Sequence, residues 1–93
     1  MSDGQAQTAK ARIQNQKGLH ARAAAKFVKV ANGYDAEIRV IKGETDVSGR
    51  SIMGLMMLAA GPGTSIHIEA DGPQAREAVN ALATLVEAKF DED

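Results

Sequence analysis

Residues 66–90, IHIEADGPQAREAVNALATLVEAKF, change their period midway, and that change decides the fold. Ile66, Ile68 and Ala70 alternate with His67 and Glu69, the two-residue period of a strand with one apolar face. Beyond Asp71-Gly72-Pro73 the apolar residues fall at Ala75, Ala78, Val79, Leu82, Leu85 and Val86, which is the spacing of an amphipathic helix. Phe90 extends that stripe by one more turn. Asp71 is expected to cap the helix with its carboxylate, and Pro73 to sit in the first turn. A strand with one wet face beside a helix with one dry face makes a two-layer unit, helix over sheet.

The same grammar runs upstream. Ala9, Ala11 and Ile13 alternate with Lys10, Arg12 and Gln14 as a first strand, after a polar tail over residues 1–7. Asn15 to Gly18 is a polar break. Ala21, Ala24, Ala25, Val28 and Ala31, with Phe27 beside them, form a helix, and Asn32-Gly33 predicts a left-handed glycine at its end. Ala36, Ile38 and Val40 read as a second strand, turned at Lys42-Gly43-Glu44 into a third around Thr45 to Val47. Ser51 is placed to cap a short helix from Ile52 to about Ala59, stopped by Gly61-Pro62-Gly63. The expected fold is α+β: an open-faced βαββαβα sandwich, with a four-stranded antiparallel sheet covered on one face by three helices. Residues 1–93 form one domain, with an acidic end at 91–93 expected to fray.

Composition narrows the function classes. Ninety-three residues leave room for one domain, 44% of them hydrophobic and 25% charged, an ordinary globular balance. There is no cysteine, which removes disulfides, thiolate metal sites and cysteine nucleophiles and suits a reducing cytoplasm. A net charge of −1 and three aromatics argue against nucleic acid as a partner. No stretch is apolar for long enough to insert in a membrane, and MSDGQAQ lacks the basic and apolar regions of a signal peptide. A cytoplasmic monomer without cofactor is expected. The two histidines show no partner at metal-ligand spacing, so no metal site is expected. His67, on the polar phase of its strand, reads as a solvated surface residue.

His20 stands apart because it directly precedes the first helix. The amides of the first turn, those of Ala21, Arg22 and Ala23, have no acceptor within the helix, and the helix dipole favours an anion there. A phosphoryl group on a ring nitrogen would meet those donors, and the Arg22 guanidinium could reach the same oxygens. The positive end of the dipole also disfavours an imidazolium, keeping a ring lone pair free to attack phosphorus. A histidine at a helix start is more often structural than functional, and position alone leaves both readings open.

The stretch Gly18-Leu19-His20-Ala21-Arg22-Ala23-Ala24-Ala25, followed by Arg50-Ser51-Ile52-Met53-Gly54-Leu55-Met56, strongly resembles the HPr family, the histidine-containing phosphocarriers of the bacterial phosphotransferase system. The resemblance runs from about Thr8 to Ala88. It implies that His20 is phosphorylated on Nδ1, that Arg22 contacts the phosphoryl group, and that the backbone of Ala21 and Ala23 cradles it. It further implies enzyme I as the donor, a IIA-type protein as the acceptor and phosphoenolpyruvate as the ultimate source. Ala23 departs from the family, which usually has proline there; alanine restores an amide near the site and leaves the transfer rate open.

Ser51 carries two readings, a helix cap and, by resemblance, a regulatory site for an HPr kinase/phosphorylase. On the short helix, Leu55, Leu58 and Ala59 share the side expected to face the core. Ile52, Met53 and Met56 lie on the other side, and the resemblance makes them a partner-docking patch; Met57 is open between core and patch. Arg22, Lys26 and Lys29 line one side of the first helix and could steer an acidic partner.

The expected function is a phosphoryl carrier rather than an autonomous catalyst: it supplies the nucleophile while its partners activate the phosphoryl group. The alternative is an HPr-type regulatory protein whose phosphorylation at His20 and Ser51 controls other proteins without feeding sugar transport. A small ligand- or RNA-binding module shares the coarse layout but lacks paired sheet aromatics. The sequence does not separate the sugar branch from the nitrogen-related branch, although the run from Ile52 to Gly63 looks more like nitrogen-branch and proteobacterial relatives.

Overall fold

A computed structural model of the chain describes residues 6–92. Four strands, β1 (Gln7–Arg12), β2 (Glu37–Lys42), β3 (Thr45–Ser48) and β4 (Ser65–Asp71), form one antiparallel sheet in the order β1-β4-β2-β3. The helices are α1 (Ala21–Ala31), α2 (Ile52–Met57) and α3 (Ala75–Glu87), and a single turn follows at Lys89–Asp91. The βαββαβα order and the open-faced sheet are those expected from the alternating pattern.

Register explains why the helices gather on one face. Ala11 pairs with Ile66, Ala9 and Val40 both pair with Ile68, and Ile38 pairs with Ala70. The apolar phases of the neighbouring strands therefore coincide, and a slip of one residue would turn a whole set into water. Phe27 and Ala31 of α1, Leu55 of α2 and Leu82 and Val86 of α3 cover that face and are fully buried. The opposite phase, including Lys10 against His67 and Arg39 against Glu69, looks outward, and His67 is exposed.

Several local expectations are corrected. Of the tail at 1–7, residues 1–5 lie outside the described residues, while Gln7 already pairs with Ala70 in β1. Gly33 does not take a left-handed conformation. Arg50 finishes α1 instead: its guanidinium donates to the carbonyls of Ala31, Tyr34 and Ala36 at 2.8–3.0 Å and to Asn32 Oδ1 at 3.1 Å. The fork takes the last helical carbonyl, Ala31, and holds Asn32, Tyr34 and Ala36 just beyond it, so a left-handed glycine is not required.

Asp71 does not cap α3, because it still belongs to β4, paired with Glu37. Gln74 is the N-cap, and it bonds twice to Asp35: Gln74 N–H to the Asp35 carbonyl at 3.0 Å, and Asp35 N–H to Gln74 Oε1 at 2.8 Å. Helix α2 ends at Met57, two residues short of Ala59, which adopts φ +52°. That turn brings the Ala60 carbonyl within 2.9 Å of Leu19 N–H and leaves Ala59 exposed rather than core-facing.

The acidic end is folded through Glu92, while Asp93 lies outside the described residues. Lys89, Phe90 and Asp91 all have φ near +60°, so the helical path is broken where the stripe was expected to run on. The break turns Phe90 into the core, where it is fully buried, and Lys26 Nζ donates to its carbonyl at 2.7 Å. A buried phenylalanine stabilises by several kcal/mol, enough to hold three residues in a disfavoured conformation (~1 kcal/mol or more each).

One glycine is irreplaceable for the loop between β1 and α1. Gly18 has φ +63°, and a Cβ there would lie 2.4 Å from the Ala60 carbonyl oxygen. Gly43, in the β2–β3 turn, has φ +61° but open space around the same position. Gly43→Ala is expected to cost about 1–2 kcal/mol, the left-handed penalty alone. Gly18→Ala should cost at least about 2 kcal/mol more, a further fall in Tm of roughly 8–16 °C. Thermal melts of the two variants side by side check this; equal losses would show that the Ala60 contact does not constrain the loop.

Candidate functional site

Helix α1 begins where the sequence reading placed it, with His20 as its N-cap in extended backbone conformation. The first helical bond runs from Ala24 N–H to the His20 carbonyl at 2.8 Å. The amides of Ala21, Arg22 and Ala23 precede it, and no side chain among the described residues caps the helix. The His20 ring therefore does not satisfy the helix end as a serine or aspartate would. It is about one-quarter exposed, in a hollow of roughly 190 Å³ shared with Gln16, Lys17, Arg22 and Glu92. At ~30 Å³ per water, that volume admits a phosphoryl group and several waters.

Two cations, the dipole of an eleven-residue helix and three amides with no partner among the described residues thus lie around one imidazole. Such a site favours a dianion over a neutral ligand. Arg22 is exposed at the rim, as its helix position implies, and so is Lys29. Lys26 departs from the proposed cationic stripe, because its ammonium is bound to the Phe90 carbonyl. No group of three or more His, Asp or Glu side chains among the described residues is arranged to hold a metal.

Two residues of the site were not anticipated from the sequence. Glu92 Oε2 lies 2.7 Å from His20 Nε2. Its other oxygen accepts from Asn15 Nδ2 at 3.1 Å, and the same amide donates to the Gly18 carbonyl at 2.8 Å. Asn15 is fully buried, and its Oδ1 has no hydrogen-bond partner among the described residues. Burial alone would raise the Glu92 carboxyl, but the hydrogen bonds from His20 and Asn15 and the charges of His20 and Lys26 outweigh it. The net direction is downward from the usual carboxylate range. An Asn between a strand and a glycine is a turn signal, whereas a terminal acidic run carries no signal for contact with residue 20.

The short helix presents its apolar residues in two directions. Leu55 and Leu58 are buried, while Ile52, Met53, Met56 and Met57 are exposed, Met53 and Met57 to more than 70%. Met57, open between core and patch, lies on the exposed side. Ser51 caps α2 as expected, its Oγ accepting from Gly54 N–H at 2.9 Å. The hydrogen bond from Leu19 to Ala60 and the close approach of Gly18 to the same carbonyl tie the end of this helical segment to the loop that delivers His20.

With this geometry in view, the likeness to known proteins is informative. Residues 7–88 match the family model described as PTS HPr component phosphorylation site. The phosphocarrier protein HPr of Pseudomonas aeruginosa is 54% identical over 81 residues, which cover 86% of this chain and 90% of that protein. The phosphocarrier protein NPr of Shewanella violacea is 46% identical over 80 residues, covering 86% and 88%. Among solved structures, HPr from Thermoanaerobacter tengcongensis superposes with a TM-score of 0.89 at 39% identity, covering 94% of this chain and 98% of that one. Glu92 lies beyond residues 7–88 of the family match, and its contact with His20 is read from the structure. A one-sided four-stranded sheet, a histidine at the start of its first helix and relatives named as phosphocarriers along most of the chain agree: this protein belongs to the HPr family and is a phosphocarrier of the phosphotransferase system.

Proposed function

We propose that His20 is the residue that carries the phosphoryl group, receiving it from enzyme I and surrendering it to a IIA-type protein. The observation that carries this reading is the placement of the His20 ring at the uncapped start of α1, open to solvent beside Arg22 and Lys17. The ring nucleophile lines the hollow and is partly exposed, so a second protein can bring its own phosphorylated group in line with it. Arg22 and the amides of Ala21 and Ala23 then share the charge of the transferring oxygens. The shallow hollow supports the role of carrier rather than autonomous catalyst, because the partner closes the site and excludes water.

Ile52, Met53 and Met56, joined by Met57, would form the docking surface. Four exposed large apolar side chains on one six-residue helix exceed what an isolated small domain places in water without use. Ser51 remains a candidate for regulatory phosphorylation at the edge of that patch. A phosphate on its oxygen would keep an acceptor for Gly54 N–H while adding nearly two negative charges beside the methionines.

In the presence of phosphoenolpyruvate and a cognate enzyme I, the wild-type chain should take up an acid-labile, base-stable phosphate that His20→Ala does not. Labelling that persists in His20→Ala, or that maps to His67, would overturn the assignment. Arg22→Ala should keep the wild-type Tm and slow transfer about ten- to a hundredfold, as expected for a charge-assisted contact of ~1.5–3 kcal/mol made in the transition state. Rapid-quench transfer rates in both directions measure this; unchanged rates would reduce Arg22 to a surface charge. Met53→Glu should weaken enzyme I binding at least tenfold by calorimetry, with melting unchanged within about 0.5 kcal/mol, because the side chain is already in water. Undiminished binding would remove the patch from the docking surface.

A further inference from the structure

We propose that Glu92 is the positioning residue of the carrier site: its carboxylate accepts the Nε2–H of His20, leaves the Nδ1 lone pair free for phosphorus, and holds the cation that phosphorylation creates. The proposal rests on His20 as the phosphoryl acceptor, and it deepens that reading by naming what sets the state of the ring.

The chemistry of the contact fixes the protons. An ionised carboxylate can only accept, so the 2.7 Å contact requires a hydrogen on Nε2. A neutral ring has one N–H, and Nδ1 is then the nitrogen with the lone pair. The same logic fixes the Asn15 amide. Both its partners, the Gly18 carbonyl and Glu92 Oε1, are acceptors, so the group facing them is the NH₂. Asn15 is buried and bound to backbone, hence it offers the carboxylate a fixed donor. From the other side, Phe90 is sunk in the core and its carbonyl is held by Lys26. Glu92 is thus clamped at both ends, by an internal amide and by an anchored turn two residues before it.

The consequences for transfer balance. As phosphorus arrives, the Nδ1 lone pair forms the N–P bond, and the bond from phosphorus to the donor breaks with its electrons returning to the donor. No proton leaves the ring, which becomes a phosphoimidazolium with its charge facing Glu92. When the group moves on, the N–P electrons return to Nδ1 and the leaving group is neutral imidazole, ready for the next cycle. If Nε2 instead lost its proton to water, the departing group would be imidazolate, a far poorer leaving group. Among the described residues the charges facing the ring are Lys17 from the loop, Arg22 and the α1 amides from the helix, and Glu92 from the C-terminal turn. The cations serve the phosphoryl oxygens and the Glu92 carboxylate serves the ring.

The test uses the full chain and two variants, Glu92→Ala and Glu92→Gln, with melting curves to confirm folding. Nitrogen-15 chemical shifts of the His20 ring are read without phosphate, at a pH where the ring is neutral. Wild type and Glu92→Gln should show a single Nε2–H form, since glutamine Oε1 can still accept, whereas in Glu92→Ala the two shifts should converge as tautomers mix. Discharge of phosphorylated protein to a IIA-type acceptor should slow roughly three- to tenfold in both variants, because each lacks the charge. The same tautomer in Glu92→Ala as in wild type, or unaltered discharge in both variants, overturns the proposal. Failure of wild type to label at all would instead strike the reading of His20 as carrier, while the tautomer shifts would still report on Glu92.

Discussion

The close passage of Gly18 over the Ala60 carbonyl is the constraint on which the site depends. Only a residue without a side chain can lie there, and only a left-handed one can turn the chain so that Leu19 N–H meets that carbonyl. The turn sets the angle at which the chain enters α1 and places His20 at the helix N-cap. It also joins the segment leaving α2 to the loop before α1, so the apolar patch and His20 are tied through one contact. Asn15 closes the loop from within by donating to the Gly18 carbonyl, and the same amide reaches Glu92. A single crossing therefore supports His20, the exposed apolar patch and the Glu92 contact on which the proposed transfer rests.

Much of this was legible in the chain because it rests on local rules. Alternation in Ile66, Ile68 and Ala70 and the helical spacing from Ala75 to Val86 identified layers whose register in the sheet then followed. His20 was legible because a helix start is itself a local feature and because the residues around it resemble a family. Side-chain capping by Ser51 was equally local. What escaped detection is what depends on distant partners. Arg50 ends α1 from eighteen residues away in sequence through its bond to Asn32, so no pattern near Gly33 could reveal that a glycine cap was unnecessary. Asp71 follows cap chemistry, yet the sheet holds it by pairing with Glu37.

The C-terminal turn shows the same limit with a functional consequence. Three consecutive residues with φ near +60° violate every local preference, and an acidic terminus reads as a solvated end. Burial of Phe90 overrides those preferences, and the turn it enforces carries Glu92 to His20. Local strain here sits next to the chemistry, where a fold has reason to maintain it. A carrier must bind its group firmly enough to hold it between partners and weakly enough to release it. In the proposed transfer, cations and amides on the phosphoryl side and a carboxylate on the far side of the ring meet both demands, and donor and acceptor proteins would approach the same exposed face in turn.

The most direct measurement is the bond from phosphorus to the ring, read by phosphorus–nitrogen coupling in isotope-labelled, phosphorylated protein. The account predicts phosphorus coupled to Nδ1 of His20, with Nε2 still protonated against Glu92 and the amides of Ala21 to Ala23 shifted as they meet the phosphoryl oxygens. Phosphorus on Nε2 would require the Glu92 contact to break and would contradict the account, as would phosphorus on His67.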